Sequence, residues 1–491
     1  MIYLGVDLGT SAVKILAVDE KGNIIKTVSE EYPVCYPHPG WSEQAPEDWW
    51  DAVKKGIKAL TACIDRSQIA GIGCAGQMHG LVILDKNDEV IRPAILWNDG
   101  RTAKETDYLN EVIGKETLSD ETANIAFAGF TAPKILWVKK NEPENFSRIS
   151  KIMLPKDYIV YKLTGVFSSD YSDFSGTLLL DVKNRKISKK MCEICCVREE
   201  QLPRLYESYE KVGAVKNETA AELGLNENTT VVAGAGDNAA AAIGTGTVGE
   251  GRCNISLGTS GTLFISSTRF GVDSNNALHS FCHADGNYHL MGCMLSAASC
   301  NKWFMEDILH DNDYTAAQKL IPDGLLGSNH TFFLPYLMGE RSPINDTNAR
   351  GTFTGMTSAT TREEMLLAVL EGVAFAIRDS LEVARSLGND IKSSTICGGG
   401  SKSKLWKQIV ANILNVRLET PVTEQGPGYG GAVLAMTACG EYENVKKAAE
   451  CLVSYSEVIE PDPKLVDCYN LRYSEFSKIY PAMKSLFSQL I

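Results

Sequence analysis

The sequence predicts an α/β protein built from two related halves, and three observations predict it. The chain has 491 residues, more than a single hydrophobic core serves, so two domains are expected. Apolar strands of period two alternate with helical patterns along its length. The tetrapeptide Leu-Gly-Thr-Ser stands at Leu8 to Ser11 and again at Leu257 to Ser260, each time between two apolar strands. We place the domains at residues 1–247 and 248–491.

The first copy sits in IYLGVDLGTSAVKILAV. Ile2, Leu4 and Val6 alternate as a buried strand, Asp7 to Ser11 turn, and Val13, Ile15 and Ala17 resume. Gly9 admits a close backbone approach, and the turn N–H groups with the Thr10 and Ser11 hydroxyls suit phosphate oxygens. Phosphate repels a neighbouring carboxylate unless a cation lies between them, so Asp7 points to Mg²⁺. Lys14 adds a positive charge beyond the turn. The second copy, Gly258-Thr259-Ser260-Gly261, repeats the pattern, so two related halves face one nucleotide.

Composition narrows the partners. Hydrophobic residues at 44% and charged residues at 22% are those of a globular protein. A net charge of -13, with nothing basic clustered, argues against nucleic acid or an anionic membrane. No basic-then-apolar leader opens the chain and no run is long and apolar enough to span a bilayer, so a cytoplasmic protein is expected. The 14 cysteines read as free buried thiols. Cys192, Cys195 and Cys196 cluster without the second Cys pair or His pair that zinc requires.

In chain order, Asn23 to Val28 completes an antiparallel meander. A loop from Pro39 to Pro46 leads to a helix with Trp49, Val53, Ile57 and Leu60 on one face. Ile69 to Ala75 is a buried strand stopped by Gly76-Gln77-Met78-His79-Gly80. A hairpin of Leu81–Leu84 with Val90–Ile91 follows, then a short strand ending in Trp97-Asn98-Asp99-Gly100-Arg101. Residues 101–211 read as mixed helix and loop. Thr229 to Gly236 forms an apolar strand that delivers Asp237 and Asn238 to the head of a helix.

After the repeated turn, Glu363 to Leu387 makes a long amphipathic helix. Ile396 runs through Gly398-Gly399-Gly400-Ser401-Lys402-Ser403 into a helix bearing Leu405, Ile409 and Ile413. Strand, glycine turn and helix N-terminus in that order form a nucleotide contact. Trp406 and Asn412 on that helix are placed beside the base. Gly426 to Gly431 opens one more helix, ending near Cys439 before Gly440.

Asp237 at a strand end can accept a hydroxyl proton, and its plainer reading is a helix N-cap. Met78 and His79, with Trp97, Asn98, Asp99 and Asn238, offer the flat apolar surface and polar groups a sugar needs. Their plainer reading is a core-edge methionine, a surface histidine and a core tryptophan.

VDLGTS with Lys14, the second LGTSGT, GAGDN and GGGSKS resemble the FGGY carbohydrate kinases of the actin-like ATPase superfamily. GWSEQAPEDWW, GQMHG and PAILWNDGR resemble the branch that phosphorylates D-xylulose. The likeness runs from Ile2 to about Gly431. It implies two ribonuclease H-like domains with an interdomain catalytic cleft, sugar held mainly by the first and ATP by the second. It implies Asp237 as the catalytic base, with Asp7 and Asp237 at Mg²⁺. The sugar is met by Gln77, Met78, His79, Trp97, Asn98, Asp99, Asp237 and Asn238. The nucleotide is met by Gly9, Thr10, Ser11 and Lys14, by Gly258, Thr259, Ser260 and Gly261, and by Gly398, Gly399, Gly400, Ser401 and Ser403. The reaction implied is ATP-dependent phosphorylation of D-xylulose at the C5 hydroxyl; another ketopentose or polyol is the alternative. Members of the family often form homodimers. A glycerol kinase is disfavoured because an Arg-Glu pair is expected where Met78-His79 stand. A sugar-indifferent nucleotide switch would need a further domain, and a dehydrogenase would need a GxGxxG after the first strand.

Overall fold

The computed structural model describes residues 1–423 and 425–490. Met1–Gly249, Ser280–His289 and Gln425–Val453 form one compact unit, and the remaining described residues form a second. A single cut after residue 247 therefore does not describe the units, because the chain returns twice to the first.

The first unit is built on a mixed sheet. β1 (Ile2–Leu8), β2 (Ala12–Asp19) and β3 (Ile24–Glu31) form an antiparallel meander, β3 beginning one residue later and ending three residues later than the sequence pattern marks. Helix α1 (Pro46–Thr61) leads to β4 (Ile69–Gly76), which runs parallel to β1. Trp49, Val53, Ile57 and Leu60 are fully buried in one core with Leu4, Val6, Ile15 and Ile72. The stretch 101–211 contains α2 (Thr131–Asn141), α3 (Pro155–Thr164) and the short turn α4 (Tyr171–Phe174). β5 (Lys211–Ala214), β6 (Thr230–Val232), β7 (Ala235–Gly236) and helix α5 (Asp237–Gly244) follow. Sheet order is β5-β6-β4-β1-β2-β3, with β7 also pairing with β4.

One expectation needs correction. The strand expected over 229–236 is two strands. At the break, Ala233 and Gly234 donate to the Glu210 and Ser208 carbonyls instead of to a ladder partner. Gly234 sits at φ 75° there, and a Cβ on it would lie 2.0 Å from the Cys74 carbonyl oxygen. The expected hairpin is short: Leu84 bridges Val90, with backbone bonds from the Asp85 amide to Glu89 and from the Ile91 amide to Ile83, and Val82–Leu84 also pairs with Lys151–Met153.

The glycines at Gly426 to Gly431 serve packing. The helix Gly426–Ala438 lies directly on β1 and β4, and glycines on both surfaces let the backbones meet. A Cβ on Gly5 would sit 1.8 Å from the Gly428 oxygen, and one on Gly73 2.0 Å from the Gly431 oxygen.

In the second unit, β8 (Arg252–Leu257) and β9 (Gly261–Ser267) form the hairpin of the repeated turn. β10 (Tyr288–Met294), α6 (Ala298–Lys302), α7 (Arg362–Ser386), β11 (Ser393–Cys397), α8 (Lys404–Leu414), β12 (Arg417–Pro421), β13 (Tyr455–Ile459) and α9 (Pro463–Phe487) follow. A capping box from Thr361 and Glu364 starts α7 one residue earlier than its apolar pattern does. Strand order is β10-β9-β8-β11-β12-β13.

Each sheet has the same arrangement of directions. The hairpin's first strand pairs antiparallel with its second and parallel with the strand inward; beyond that come another parallel strand and an antiparallel edge. The chain reaches that edge before the neighbouring parallel strand in the first unit and after it in the second. The repeated tetrapeptide thus marks a repeated sheet topology.

All 14 cysteines are free, as expected, but Cys35, Cys63, Cys196, Cys451 and Cys468 are exposed rather than buried. Among the described residues no group of three or more His, Cys, Asp or Glu is placed to hold a metal ion, and no helix is long and apolar enough to cross a membrane.

Candidate active site

The first turn is held by its carbonyls. The Gly9 oxygen accepts from the Tyr32 hydroxyl at 2.6 Å and from Gln77 Nε2 at 3.4 Å. The Thr10 oxygen accepts from Gln44 Nε2 at 2.7 Å and the Ser11 oxygen from the Tyr32 amide at 3.1 Å. Gln44 Oε1 accepts in turn from Trp49 and Gln77. Tyr32, Gln44 and Gln77 are all buried, so the turn's acceptors point into the core. Gln77 Nε2 therefore braces the first turn, while its Oε1 is buried without a hydrogen-bond partner among the described residues.

Asp7 stands at the last turn of β1, paired across the hairpin with Lys14. Burial pushes its carboxyl up to about 6, with Lys14 working in the opposite direction. Asp237 opens α5 at the end of β7. Burial, and after it the charge of Asp7, pushes Asp237 up to about 7, while hydrogen bonds from Asn238 pull it down. Those bonds run from the Asn238 amide and Nδ2 to Asp237 Oδ1, at 2.7 and 3.0 Å. Gly236, not Asp237, occupies the N-cap position, and Asn238 engages only Oδ1 of the carboxylate. A carboxylate tuned near neutrality is suited to take up a proton.

Met78 and His79 lie beside it. Met78 is buried against Gly236, where a Cβ would come within 2.9 Å of its Cγ. Asn238 Nδ2 approaches the Met78 sulfur at 3.9 Å. His79 adopts φ 68°, a left-handed backbone uncommon outside glycine. Its Nδ1 lies 3.0 Å from the Gly176 oxygen, and its ring packs on Phe130 with centroids 4.6 Å apart. His79 is thus neither a free surface histidine nor a core one.

Trp97 is 48% exposed, not core, and its Nε1 donates to Thr10 Oγ1 at 3.1 Å, joining this loop to the phosphate turn. Asn98 is exposed and lines a cavity of about 490 Å³ with Tyr36 to Ser42. Asp99 is corrected. It is buried, accepts from the Ser42 amide at 2.6 Å, and takes Arg101 on both oxygens at 2.9 and 2.7 Å. Its acceptor capacity is spent on shaping the loop, leaving it unsuited to a sugar hydroxyl.

The second unit contains a cavity of about 1130 Å³. Gly258, Thr259, Gly399, Gly400 and Ser403 line it, so the repeated turn and the glycine turn, 140 residues apart in sequence, form one wall. The repeated turn is again held by its carbonyls, here by amides at the start of α6: Ala298 to Gly258 at 2.8 Å and Ala297 to Thr259 at 3.0 Å. Gly398 packs on that turn, since a Cβ there would come within 2.7 Å of the Leu257 carbonyl. Ser403 caps α8 through the Trp406 amide and donates to Gln318 Oε1 at 2.6 Å. Ser260, Gly261, Gly398 and Ser401 stand outside the wall itself. Trp406 borders the cavity, whereas Asn412 is buried away from it, accepting from the Asp462 amide that precedes α9.

Sequence reasoning missed several residues. Asn301, Lys302, Tyr314 and Gln318 line the same cavity from stretches with no motif. Lys156 is fully buried beneath the Asp237 strand, 2.7 Å from Asp157 and 2.9 Å from Asp170. Lys134, also fully buried, donates to the His79 carbonyl. A charged residue inside an apolar helical pattern was the available signal for both.

Two repeated Gly-Thr-Ser turns, a carboxylate pushed up to about 7 beside a second acid, and a Met-His loop are joined by family matches that give the class, an ATP-dependent carbohydrate kinase. Residues 2–244 match the N-terminal domain of the FGGY family of carbohydrate kinases and residues 253–439 match its C-terminal domain. The chain belongs to this family. It is 40% identical to the xylulose kinase of Escherichia coli strain K12, covering 99% of this chain and 100% of that protein. Among solved structures it is similar to a xyloylose kinase from Brucella ovis, with 41% identity, a TM-score of 0.93 and coverage of 99% and 100%. A ligand-bound xylulose kinase from Lactobacillus acidophilus superposes with a TM-score of 0.94 at 28% identity, covering 100% of each chain. The fold is the two-domain, actin-like ATPase class.

Proposed function

We propose that this chain transfers the γ-phosphoryl group of ATP to the C5 hydroxyl of D-xylulose, giving D-xylulose 5-phosphate and ADP. The observation that carries the chemistry is Asp237, a carboxylate held near neutrality at a strand end beside Asp7. The sugar identity is supported by relatives that bear the name xylulose kinase across their full length.

In this reading the sugar lies on Met78, His79, Trp97 and Asn238, with its terminal hydroxyl at Asp237. Asp237 takes the hydroxyl proton on Oδ2 as the sugar oxygen bonds to phosphorus, and Asn238, donating twice to Oδ1, holds the carboxylate in place. Phosphoryl transfer has a loose transition state, so positioning and charge neutralisation do most of the work. The Gly9 to Ser11 turn and Lys14 supply donors and positive charge for phosphate oxygens. The adenosine occupies the cavity of the second unit, against Gly399, Gly400 and Ser403.

The donors fit Mg²⁺. Asp7 and Asp237 are two partly buried carboxylates whose proton affinity burial raises, that of Asp237 further by the charge of Asp7, with one lysine, Lys14, paired to Asp7. Two carboxylates, completed by water and phosphate oxygens, is the way this ion is usually bound. Mg²⁺ there would neutralise charge on the transferring phosphate. With ATP as co-substrate, we assign the reaction to the cytoplasm.

A coupled ADP-release screen across ketopentoses, polyols and glycerol tests the proposal. D-Xylulose is expected to give the highest kcat/KM. A different preferred sugar, or ADP release indifferent to sugar, would refute it.

A further inference from the structure

His79 is held in its left-handed backbone from outside its own loop. Its carbonyl accepts from Lys134 Nζ at 2.8 Å and from Thr131 Oγ1 at 3.1 Å, both near the start of α2. Lys134 Nζ also donates to the Gly129 carbonyl at 2.7 Å. A fully buried lysine is uncommon and needs a reason. Here a side chain long enough to reach two loops, with several donors on one atom, joins the 77–80 turn to the 127–131 turn.

The surroundings leave His79 little latitude. A Cβ on Gly176 would lie 2.3 Å from the imidazole, so the ring sits flush on that backbone. Its other side meets Phe130. A small rotation of the 79 peptide would drive the ring into one or the other. Gly129 bears on the third loop, because a Cβ there would lie 2.5 Å from the Trp97 carbonyl oxygen. Lys134 is thus the common tie of the three segments that present His79, Trp97 and Asn98.

We propose that Lys134 is a positioning residue that sets the site's affinity for its sugar by fixing the backbone of His79. The inference rests on the reading of Met78 and His79 as the sugar contact. Lys134 does not touch the sugar; removing its amine donors leaves the His79 carbonyl held by Thr131 alone and unties it from the Gly129 carbonyl, loosening the backbone that aims the imidazole.

The test compares Lys134→Met, Thr131→Val, His79→Ala and the Lys134→Met/His79→Ala double variant, by steady-state kinetics and by calorimetric sugar binding. Lys134→Met is expected to raise the sugar KM and Kd about tenfold, with the ATP KM changed less than about twofold. Thr131→Val is expected to move the same parameters in the same direction by a smaller factor, about threefold. The double variant is expected to bind sugar no worse than His79→Ala, because the two residues act in series. A sugar KM unchanged in Lys134→Met, a parallel loss in both substrates, or additive effects in the double variant would overturn the inference. If Lys134→Met does not fold, Thr131→Val decides alone, and an unchanged sugar KM there overturns it. A His79→Ala enzyme with unaltered sugar binding would refute the sugar-site reading itself. His79→Ala impaired and Lys134→Met normal refutes only the positioning role.

Discussion

Asp7 and Asp237 reach the same end of one sheet from opposite sides of β4. Asp7 is in register with Ala75 of β4, and Ala235, two residues before Asp237, is in register with that same Ala75 on the other edge. With neighbouring strands about 4.8 Å apart, the two acid-bearing strands run roughly 10 Å apart at this level. In the proposed reaction that spacing lets both aspartates face one metal–phosphate group between them. The same closeness explains why Asp7 raises Asp237.

That coupling has a sign that can be measured. Carboxyl ¹³C resonances of the metal-free protein should show Asp237 titrating near 7 and Asp7 near 6. Asp7→Asn removes a like charge, so Asp237 should move to lower pH. Adding Mg²⁺ with ADP should lower both in the parent protein, since a cation favours the ionised forms. A titration of Asp237 unchanged by Asp7→Asn would separate the two acids.

Gly399 offers a clean probe of the nucleotide cavity. It lines the wall, and a Cβ there meets nothing within 4 Å. Gly399→Leu should therefore fold normally while filling space meant for the nucleoside. We expect the ATP KM to rise about tenfold or more, with sugar binding measured by calorimetry unchanged.

The two turns, the meander, α1 and the long α7 were legible because each is local: a period, a turn glycine, a cap. Short motifs singled out Asp7, Met78-His79 and Asp237, and the fold brings Asp7 and Asp237 to the same end of one sheet, with Met78 against Gly236. A polar residue beside a site looks the same in sequence whether it faces a ligand or the core, and Gln77 and Asp99 both turn out to be buried. Only the partners distinguish them, Gln44 for one and Arg101 for the other, and these lie 33 and 2 residues away. The break at Gly234 and the pairing of Val82–Leu84 with Lys151–Met153 depend on contacts across the chain that no periodicity reports. Gly426 to Gly431 read only as the opening of a helix; that its glycines answer to Gly5 and Gly73 shows only in the packing.

That close packing predicts a severe stability defect. Gly73→Ala would place a methyl group 2.0 Å from a backbone oxygen that no rotamer change can move. Overpacking against backbone should cost more than about 3 kcal/mol. Thermal unfolding, or the soluble yield if the variant fails to fold, checks it; an unchanged Tm would show that the helix shifts freely.

A second stability prediction concerns the second unit. Glu371 on α7 is buried and accepts from Arg472 of α9 at 2.7 Å and from the Tyr469 hydroxyl at 2.9 Å. Glu371→Leu alone strands a buried guanidinium and should cost about 3–5 kcal/mol, measured by urea unfolding. Glu371→Leu with Arg472→Met should recover most of that loss, because neither charge then remains buried without its partner.

The central claim is that Asp237 removes the proton from the sugar hydroxyl. Asp237→Asn keeps the size of the side chain while removing its basicity. The measurement is ADP release under saturating ATP and D-xylulose, alongside calorimetric binding of each substrate. The account predicts turnover lowered by about 10²–10⁴ with binding of both substrates retained. Turnover equal to the parent enzyme's, with binding intact, would contradict it.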